Sequence, residues 1–207
     1  MAKGYRIKRI LDVLLVIPAI ILLVPVWLLL SLCVFIENPG PVIFRQVRLG
    51  KDEKLFTLYK FRSMYTNNIP PLDLGAVKHN HALVTRVGYF IRRLKLDETP
   101  QLLNILKGDM SLVGPRPCLP ARSQTMPLEE KRRFSFLPGL TGWAEVNGNV
   151  ELSWEEQLLL DLWYVDHWSL FLDFKIILKT IVVVFFGSTR NEVALMLAKR
   201  NLNKTSI

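Results

Sequence analysis

Residues 92–117 read RRLKLDETPQLLNILKGDMSLVGPRP, and the rest of the chain is organised around this stretch. It predicts a short helix in which Thr99 is the N-cap and Pro100 occupies the first turn. Gly108 suits the end of that helix, because glycine readily adopts the left-handed conformation of a C-terminal cap. Between them lies an apolar stripe of Leu102, Leu103 and Leu106. The stretch therefore predicts a helix that follows a pair of acidic residues.

That acidic pair is Asp97 and Glu98, at or just before the positive end of the predicted helix. The helix dipole favours ionised carboxylates there, and the unpaired N–H groups of the same end attract phosphate oxygens. An ionised Asp97 that faces a phosphate can act as a nucleophile. The alternative is that both side chains only complement the helix dipole, as acidic residues at helix starts usually do.

A wider series of motifs resembles the bacterial sugar transferases, the small monotopic phosphoglycosyl transferases that start glycan assembly on a polyprenyl phosphate. The motifs are YKFRSM at 59–64, DETPQL at 97–102, GDMSLVGPRP at 108–117, PGLTG at 138–142 and VNG at 146–148. They cover nearly the whole chain in order. The resemblance implies transfer of a sugar-1-phosphate from a UDP-sugar to undecaprenyl phosphate. It also implies UMP release and a covalent phosphosugar intermediate on Asp97.

Basic residues are the candidate ligands for the donor's phosphates. Leu55 to Met64 predicts a strand whose period of two places Lys60 and Arg62 on one face, which suits a diphosphate or equally a solvated sheet edge. Arg92 matches the family's phosphate-contacting arginine by its offset from the acidic pair. Arg116 lies between two prolines on a rigid turn, where it either binds substrate or bonds loop carbonyls.

The resemblance also implies Mg²⁺ at Asp97 and Glu98, where a cation would neutralise diphosphate oxygens. Glu98 is either a metal ligand or a general base. His79 and His81 form an isolated pair in a predicted surface loop, Tyr65 to His81, without the partners a zinc site needs. The predicted cofactor is therefore magnesium alone.

A second candidate stretch follows Ser153, where Ser-Trp-Glu-Glu forms a capping box and opens another helix. Asp161 falls on an apolar stripe of that helix. It therefore pairs with a structural cation, or helps hold a metal or a basic residue at the site. By position it resembles an aspartate that the family requires. Just before this helix the chain reads Glu-Val-Asn-Gly-Asn from Glu145, where the family commonly has Gln-Val-Asn-Gly-Arg, so Asn149 replaces an arginine.

The composition combines an apolar chain with a strong positive charge. Of the 207 residues 50% are hydrophobic, yet the formal net charge is +9. This balance suits lipid headgroups, an anionic substrate or nucleic acid. The resemblance implies UDP-sugar and polyprenyl phosphate as the anionic partners rather than nucleic acid, and it leaves a homodimer open.

The apolar run from Val13 to Ile36 has about the length of a membrane-spanning helix. One alternative is a single transmembrane helix. The other is a re-entrant hairpin, because both flanks are basic and Pro18 and Pro25 interrupt the run. The resemblance implies the hairpin with Pro25 at the kink, although Val24 replaces the serine often found before it. It places the protein in the bacterial inner membrane, with the catalytic domain on the cytoplasmic face.

Together these observations predict a helix-dominated α+β protein with few strands. The expected parts are a membrane-inserted hairpin at 1–37, a catalytic domain at 38–187 and a basic tail at 188–207. The apolar stretch 170–186 predicts an interfacial amphipathic helix or a core helix, and the mixed charges at 129–133 predict a solvated helix face. Two other functions stay open: a membrane glycosyltransferase that releases UDP, and a non-catalytic basic membrane-binding module.

Overall fold

The computed structural model describes residues 2–65 and 82–205. The helices are α1 (Ala2–Glu37), α2 (Arg86–Arg93), α3 (Leu102–Lys107), α4 (Pro120–Gln124), α5 (Trp154–His167), α6 (Leu170–Phe186) and α7 (Glu192–Thr205). The strands are β1 (Ile43–Leu49), β2 (Leu55–Phe61), β3 (Ser111–Val113) and β4 (Gly139–Thr141). This content confirms the helix-dominated α+β class. The part of the predicted surface loop that holds His79 and His81 lies outside the described residues.

The strands pair in two small sheets. β1 and β2 form an antiparallel hairpin in register from Ile43 opposite Phe61 to Leu49 opposite Leu55. β3 and β4 form a short parallel pair. The predicted strand from Leu55 to Met64 exists but is shorter, because β2 ends at Phe61. Among the described residues, the two sheets have two strands each and do not combine into a larger central sheet.

The N-terminal helix α1 packs against this body along one face and over its whole length. Near its start, the Lys8 ammonium lies 2.6 Å from the Asp173 carboxylate on α6. At its end, the Glu37 carboxylate accepts hydrogen bonds from the first two backbone N–H groups of α2. The buried residues of this face are Lys8, Asp12, Val16, Leu30 and Val34. Both ends of α1 therefore contact the same domain.

The opposite face of α1 is apolar and exposed, and its most exposed side chains include Ile21, Leu22, Leu28 and Ile36. Among the described residues, one helix is long and apolar enough to cross a membrane, at Gly4–Glu37. The helix continues through Pro18 and Pro25, because an interior proline removes one backbone hydrogen bond without having to end a helix. The structure thus shows one long apolar helix over the stretch for which a single transmembrane helix or a re-entrant hairpin kinked at Pro25 was predicted.

The main core lies among α5, α6 and α7. α5 starts at the predicted capping box, in which the Ser153 hydroxyl accepts from the Glu156 N–H and the Glu156 carboxylate accepts from the Ser153 N–H. α6 buries Leu172 and Ile176 in the core. Its other face exposes a set of large apolar side chains, among them Phe171, Phe174, Phe185 and Phe186. α6 is therefore a core helix on one face and an unpartnered apolar helix on the other.

The C-terminal segment, predicted as a basic tail, contains α7 and contributes to this core. Ala194, Leu195 and Ala198 are all at least 95% buried and belong to the core cluster. Their spacing of one, three and four residues forms one helical face. Exposed Lys199 and Arg200 lie on the remaining surface, and they gave the segment its basic composition.

Candidate active site

The Glu98 carboxylate is the meeting point of two cations. Its Oε1 atom lies 2.6 Å from Lys60 Nζ, which β2 places, and 3.4 Å from an Arg116 guanidinium nitrogen. Burial raises the pKa of Glu98, but Lys60 and Arg116 outweigh it and hold that pKa well below its usual range. The structure thus brings together the three predicted site residues Lys60, Glu98 and Arg116. At neutral pH Glu98 is ionised.

Asp97 has the opposite electrostatic character, although it is the neighbouring residue. Its side chain is buried, and burial together with the Glu98 charge raises its pKa to about 6, against the lowering effect of Lys60 and Arg92. The helix dipole was predicted to hold both carboxyls ionised, and for Asp97 burial opposes that effect. Above pH 6 most molecules carry a desolvated Asp97 carboxylate with cations close by.

The acidic pair lies in a 3₁₀ turn, Leu96–Gln101, and α3 begins only at Leu102. The predicted N-cap at Thr99 is wrong, since the Thr99 hydroxyl donates to the Leu96 carbonyl and accepts a hydrogen bond of 2.9 Å from Trp27 Nε1 on α1. Gly108 does end α3, with a φ of 92°. The apolar helix α1 therefore braces the turn that carries the carboxylates.

The apolar stripe of α3 differs from the predicted one. Leu102 and Ile105 are buried, whereas Leu103 and Leu106 are more than a third exposed. The helix starts later than predicted, and its buried face contains Leu102 and Ile105, three residues apart.

Arg116 joins Glu98 to a second carboxylate, Glu145, whose Oε1 lies 3.4 Å from the other guanidinium nitrogen. Burial lowers the pKa of Arg116, but Glu98 and Glu145 raise it overall above its usual value, so it stays a cation. Its own backbone carbonyl accepts from Arg133 at 2.8 Å, which fixes the turn between the two prolines. Among the described residues, the Arg116 side chain therefore pairs with carboxylates, and no hydrogen bond joins it to a loop carbonyl. The positive charge of Arg92 lies close enough to Asp97 to lower the pKa of Asp97. This position fits the predicted role of Arg92 as a phosphate ligand.

Asp161 contacts the turn that carries Arg116 indirectly, through Arg133. Its Oδ2 atom lies 2.6 Å from Arg133, and both side chains are 1% exposed. The prediction of a buried carboxylate with a structural cation is confirmed, while the prediction of a solvated face at 129–133 is wrong for Arg133. Burial raises the pKa of Asp161 to about 7 against the lowering effect of Arg133. Asp161 thus acts on the site through Arg133 and the backbone of Arg116.

The structure does not bring Arg62 into this cluster. The strand ends one residue earlier, and the Arg62 guanidinium donates to the carbonyls of Val34 and Asn38 at the end of α1. There it binds carbonyl groups at the end of the helix, one of which, that of Val34, also accepts from the Asn38 N–H. Gly40 makes room for it, because a Cβ at Gly40 would lie 2.7 Å from the guanidinium. Arg62 therefore caps the membrane helix.

Two further residues at the site were not predicted. Lys95, with a φ of 58° at the start of the 3₁₀ turn, acts electrostatically on both carboxyls of the pair. Its position two residues before Asp97 was a usable signal. Glu145 has no comparable signal, because it lies 29 residues after Arg116 and only the tertiary structure joins them.

The site combines a desolvated carboxyl, an ionised carboxylate and several cations, beside a long apolar helix. Such an arrangement is typical of an enzyme site for a phosphorylated substrate, here beside a helix apolar enough to cross a membrane. The model of the bacterial sugar transferase family matches residues 3–187, most of the chain. The chain therefore belongs to the bacterial sugar transferase family, and the predicted resemblance is confirmed.

Relatives from several bacteria agree with this membership. The protein named uncharacterized sugar transferase EpsL of Bacillus subtilis (strain 168) is 48% identical over 142 residues, 69% of this chain and 69% of the relative. The UDP-glucose:undecaprenyl-phosphate glucose-1-phosphate transferase of Caulobacter vibrioides is 41% identical over 184 residues, 84% of this chain and 68% of the relative. Its namesake in Escherichia coli (strain K12) is 40% identical, over 84% of this chain and 39% of the relative's length. The predicted enzyme class, phosphoglycosyl transferase, is confirmed.

Proposed function

We propose that this enzyme transfers a sugar-1-phosphate from a UDP-sugar to undecaprenyl phosphate and releases UMP, through a covalent intermediate on Asp97. The observation that carries the proposal is the contrast between two adjacent carboxyls. Glu98 is held ionised by Lys60 and Arg116, whereas Asp97 is desolvated and has a pKa of about 6. A desolvated carboxylate beside phosphate-binding cations is a suitable nucleophile toward phosphorus.

In the first step, an Asp97 oxygen attacks the phosphorus that bears the sugar, and the bond from that phosphorus to the UMP oxygen breaks. UMP leaves with the bonding electron pair, and the sugar phosphate remains on Asp97 as an acyl phosphate. Lys60 and Arg116 provide positive charge for the phosphate oxygens. In the second step, an oxygen of undecaprenyl phosphate attacks the same phosphorus, and Asp97 leaves as a carboxylate.

Asp97 and Glu98 also fit a magnesium ion. Mg²⁺ is commonly held by one or two carboxylates together with phosphates and water, so a larger protein ligand set is not required. The described residues contain no group of three or more His, Cys, Asp and Glu side chains that could hold a metal. Lys60 and Arg116 contact Oε1 of Glu98, so Oε2 is the candidate ligand atom. When bound, the ion would neutralise diphosphate oxygens.

Glu98 suits the role of metal ligand better than that of general base. A base is effective when its pKa lies near the working pH. Lys60 and Arg116 hold the pKa of Glu98 well below its usual range, so its carboxylate takes up a proton poorly at neutral pH.

The helix α1 is proposed to dip into the inner membrane and return to the cytoplasmic side. Lys8 and Glu37, near its two ends, both contact the catalytic domain. A helix across the bilayer would place about 30 Å of hydrocarbon between its ends and leave one of them on the far side from the domain. The exposed apolar face of α1 would instead lie toward lipid, and its basic start would stay in the cytoplasm.

Cysteine labelling tests this topology. Exposed Arg6 and exposed Lys54 are each replaced by cysteine in a Cys33→Ala background and treated with a membrane-impermeant thiol reagent in intact cells. The re-entrant path predicts that both positions are protected until the cells are opened. Labelling of Arg6→Cys from outside, with Lys54→Cys protected, would show a spanning helix instead.

Nucleotide release tests the reaction. Detergent-purified enzyme receives undecaprenyl phosphate, magnesium and one UDP-sugar at a time from a panel, with Asp97→Asn in parallel. UMP from one donor, abolished in Asp97→Asn, supports the proposal and identifies the sugar. UDP as the product would mean transfer of the sugar without its phosphate and would remove Asp97 from the role of nucleophile.

A further inference from the structure

Glu145 is a buried carboxylate beside the site that the two-step reaction does not use. Its side chain lies 3.4 Å from Arg116 through Oε1, and the residue is 8% exposed. Its second oxygen, Oε2, is buried, and none of the residues that the structure describes donates a hydrogen bond to it. Burying an anionic oxygen without a donor costs free energy, so such an atom in a folded protein calls for a function.

Arg116 is shared equally between Glu145 and Glu98, because each carboxylate lies 3.4 Å from one of its guanidinium nitrogens. Charge-assisted hydrogen bonds of this kind are usually shorter, about 2.7–2.9 Å. Glu98 already has Lys60 at 2.6 Å. The Arg116 side chain thus lies between two negative charges and bonds tightly to neither, which leaves it available to an anion but partly neutralised.

Glu145 has little freedom to follow Arg116. It starts a 3₁₀ turn, Glu145–Asn147, that Asn147 closes with a 2.7 Å hydrogen bond from its amide to the Trp143 carbonyl. Asn191, just before α7, donates from its side chain to the Asn147 side chain at 2.8 Å. On the other side, Oε2 abuts Gly142 so closely that a Cβ there would lie 2.6 Å from it. The carboxylate is therefore a fixed negative charge.

We propose that Glu145 is a positioning residue that holds the Arg116 guanidinium away from Glu98 and competes with the donor's diphosphate for it. The role of Glu145 in the reaction rests on the proposed function. Independently of that reaction, Glu145 weakens the binding of a diphosphate. A fixed competing carboxylate lowers the affinity of the free enzyme for the donor and speeds release of anionic product.

The test uses the full-length protein in detergent and inorganic pyrophosphate as the probe, without divalent cation. Glu145→Gln keeps the size and one acceptor oxygen but removes the charge, so it should lower the Kd for pyrophosphate about tenfold. The KM for the UDP-sugar should fall by a similar factor, about tenfold, with kcat changed much less. Glu151→Gln is the matched control, since it removes the charge of an exposed residue near the same turn and should leave the Kd unchanged.

A gain of affinity separates positioning from a merely structural role, because a loosened site binds more weakly. An unchanged or higher pyrophosphate Kd in Glu145→Gln would overturn the inference. Should that variant not fold, Glu145→Asp replaces it: moving the charge away from Arg116 by one methylene should lower the Kd in the same direction, and an unchanged Kd counts against the inference. In an Arg116→Gln background the Glu145 substitution should have no effect.

The two proposals fail in different ways. If wild-type enzyme releases UMP while the pyrophosphate Kd does not respond to Glu145, the inference is wrong and the proposed function stands. If the Kd responds as expected but no donor yields UMP, Glu145 still controls diphosphate binding, and the proposed reaction is wrong.

Discussion

Replacing Asp97 by Asn should abolish UMP release and at the same time stabilise the protein. The pKa of Asp97 stands at about 6 in the folded protein, against an ordinary value of 3.8. A carboxyl whose pKa is raised by folding stabilises the folded state fully at pH values below its pKa in the unfolded chain. This stabilisation is lost as the pH rises through its pKa in the folded protein. At pH 8 the ionised form therefore costs about 3 kcal/mol, which an uncharged amide of the same size avoids.

The neighbouring substitution should have the opposite effect on stability. The pKa of Glu98 is held below its usual range, so its ionised form stabilises the fold at every pH above that range. Glu98→Gln removes the charge that Lys60 and Arg116 bind, and Arg116 then keeps only its longer contact with Glu145. Both variants should be inactive, yet one should unfold at a higher temperature than wild type and the other at a lower one.

The assay is thermal unfolding in detergent at pH 8 and at pH 4, with UMP release measured on the same preparations. For a chain of this size, about 3 kcal/mol corresponds to a rise of roughly 6–12 °C for Asp97→Asn at pH 8. At pH 4 the difference should shrink, because Asp97 is then largely protonated in the folded wild type. Destabilisation of both variants at pH 8, or an equal gain for Asp97→Asn at pH 4, would refute the assignment of a desolvated nucleophile.

Two further predictions concern the same network. UMP release should rise about tenfold per pH unit below pH 6 and level off above it, since Asp97 must be ionised to attack; a rate that is flat from pH 5 to 8 would contradict this. Asp161→Ala should cost about 3–5 kcal/mol of unfolding free energy at pH 8, because it leaves Arg133 buried and unpaired. The more exposed Asp166, paired with Arg132, is the matched control and should cost no more than about 1 kcal/mol as Asp166→Ala; equal losses would mean that burial does not set the difference.

The sequence alone predicted the parts of the site that local pattern controls. Lys60 on a strand, an acidic pair ahead of a helix and Gly108 at the helix end all follow from short-range rules, and each is present. The same rules failed where an element ended early. Strand periodicity placed Arg62 with Lys60, but β2 stops at Phe61 and the next side chain turns to the end of α1.

The remaining errors come from contacts between distant parts of the chain. Thr99 is a residue type that often caps helices, but its hydroxyl accepts a hydrogen bond from Trp27 of α1. Arg133 sits among mixed charges that indicate solvent, but its partner Asp161 is 28 residues away and buried. Desolvation of Asp97 likewise depends on the folded surroundings. For Thr99, Arg133 and Asp97, local sequence gives the residue type but does not give its burial or its partner.

The contacts of α1 link membrane insertion to catalytic geometry. This helix bonds the catalytic 3₁₀ turn through Trp27, and it is itself capped by Arg62, which follows the strand that places Lys60. A shift of α1 along its axis would therefore move the turn that carries Asp97 and strain the end of β2 together. The proposed reaction brings a soluble nucleotide sugar to a phosphate at the membrane surface, and it needs a fixed distance between the lipid and Asp97. Packing the membrane helix along its whole length against the catalytic domain fixes that distance, which a flexible linker to a spanning helix would not.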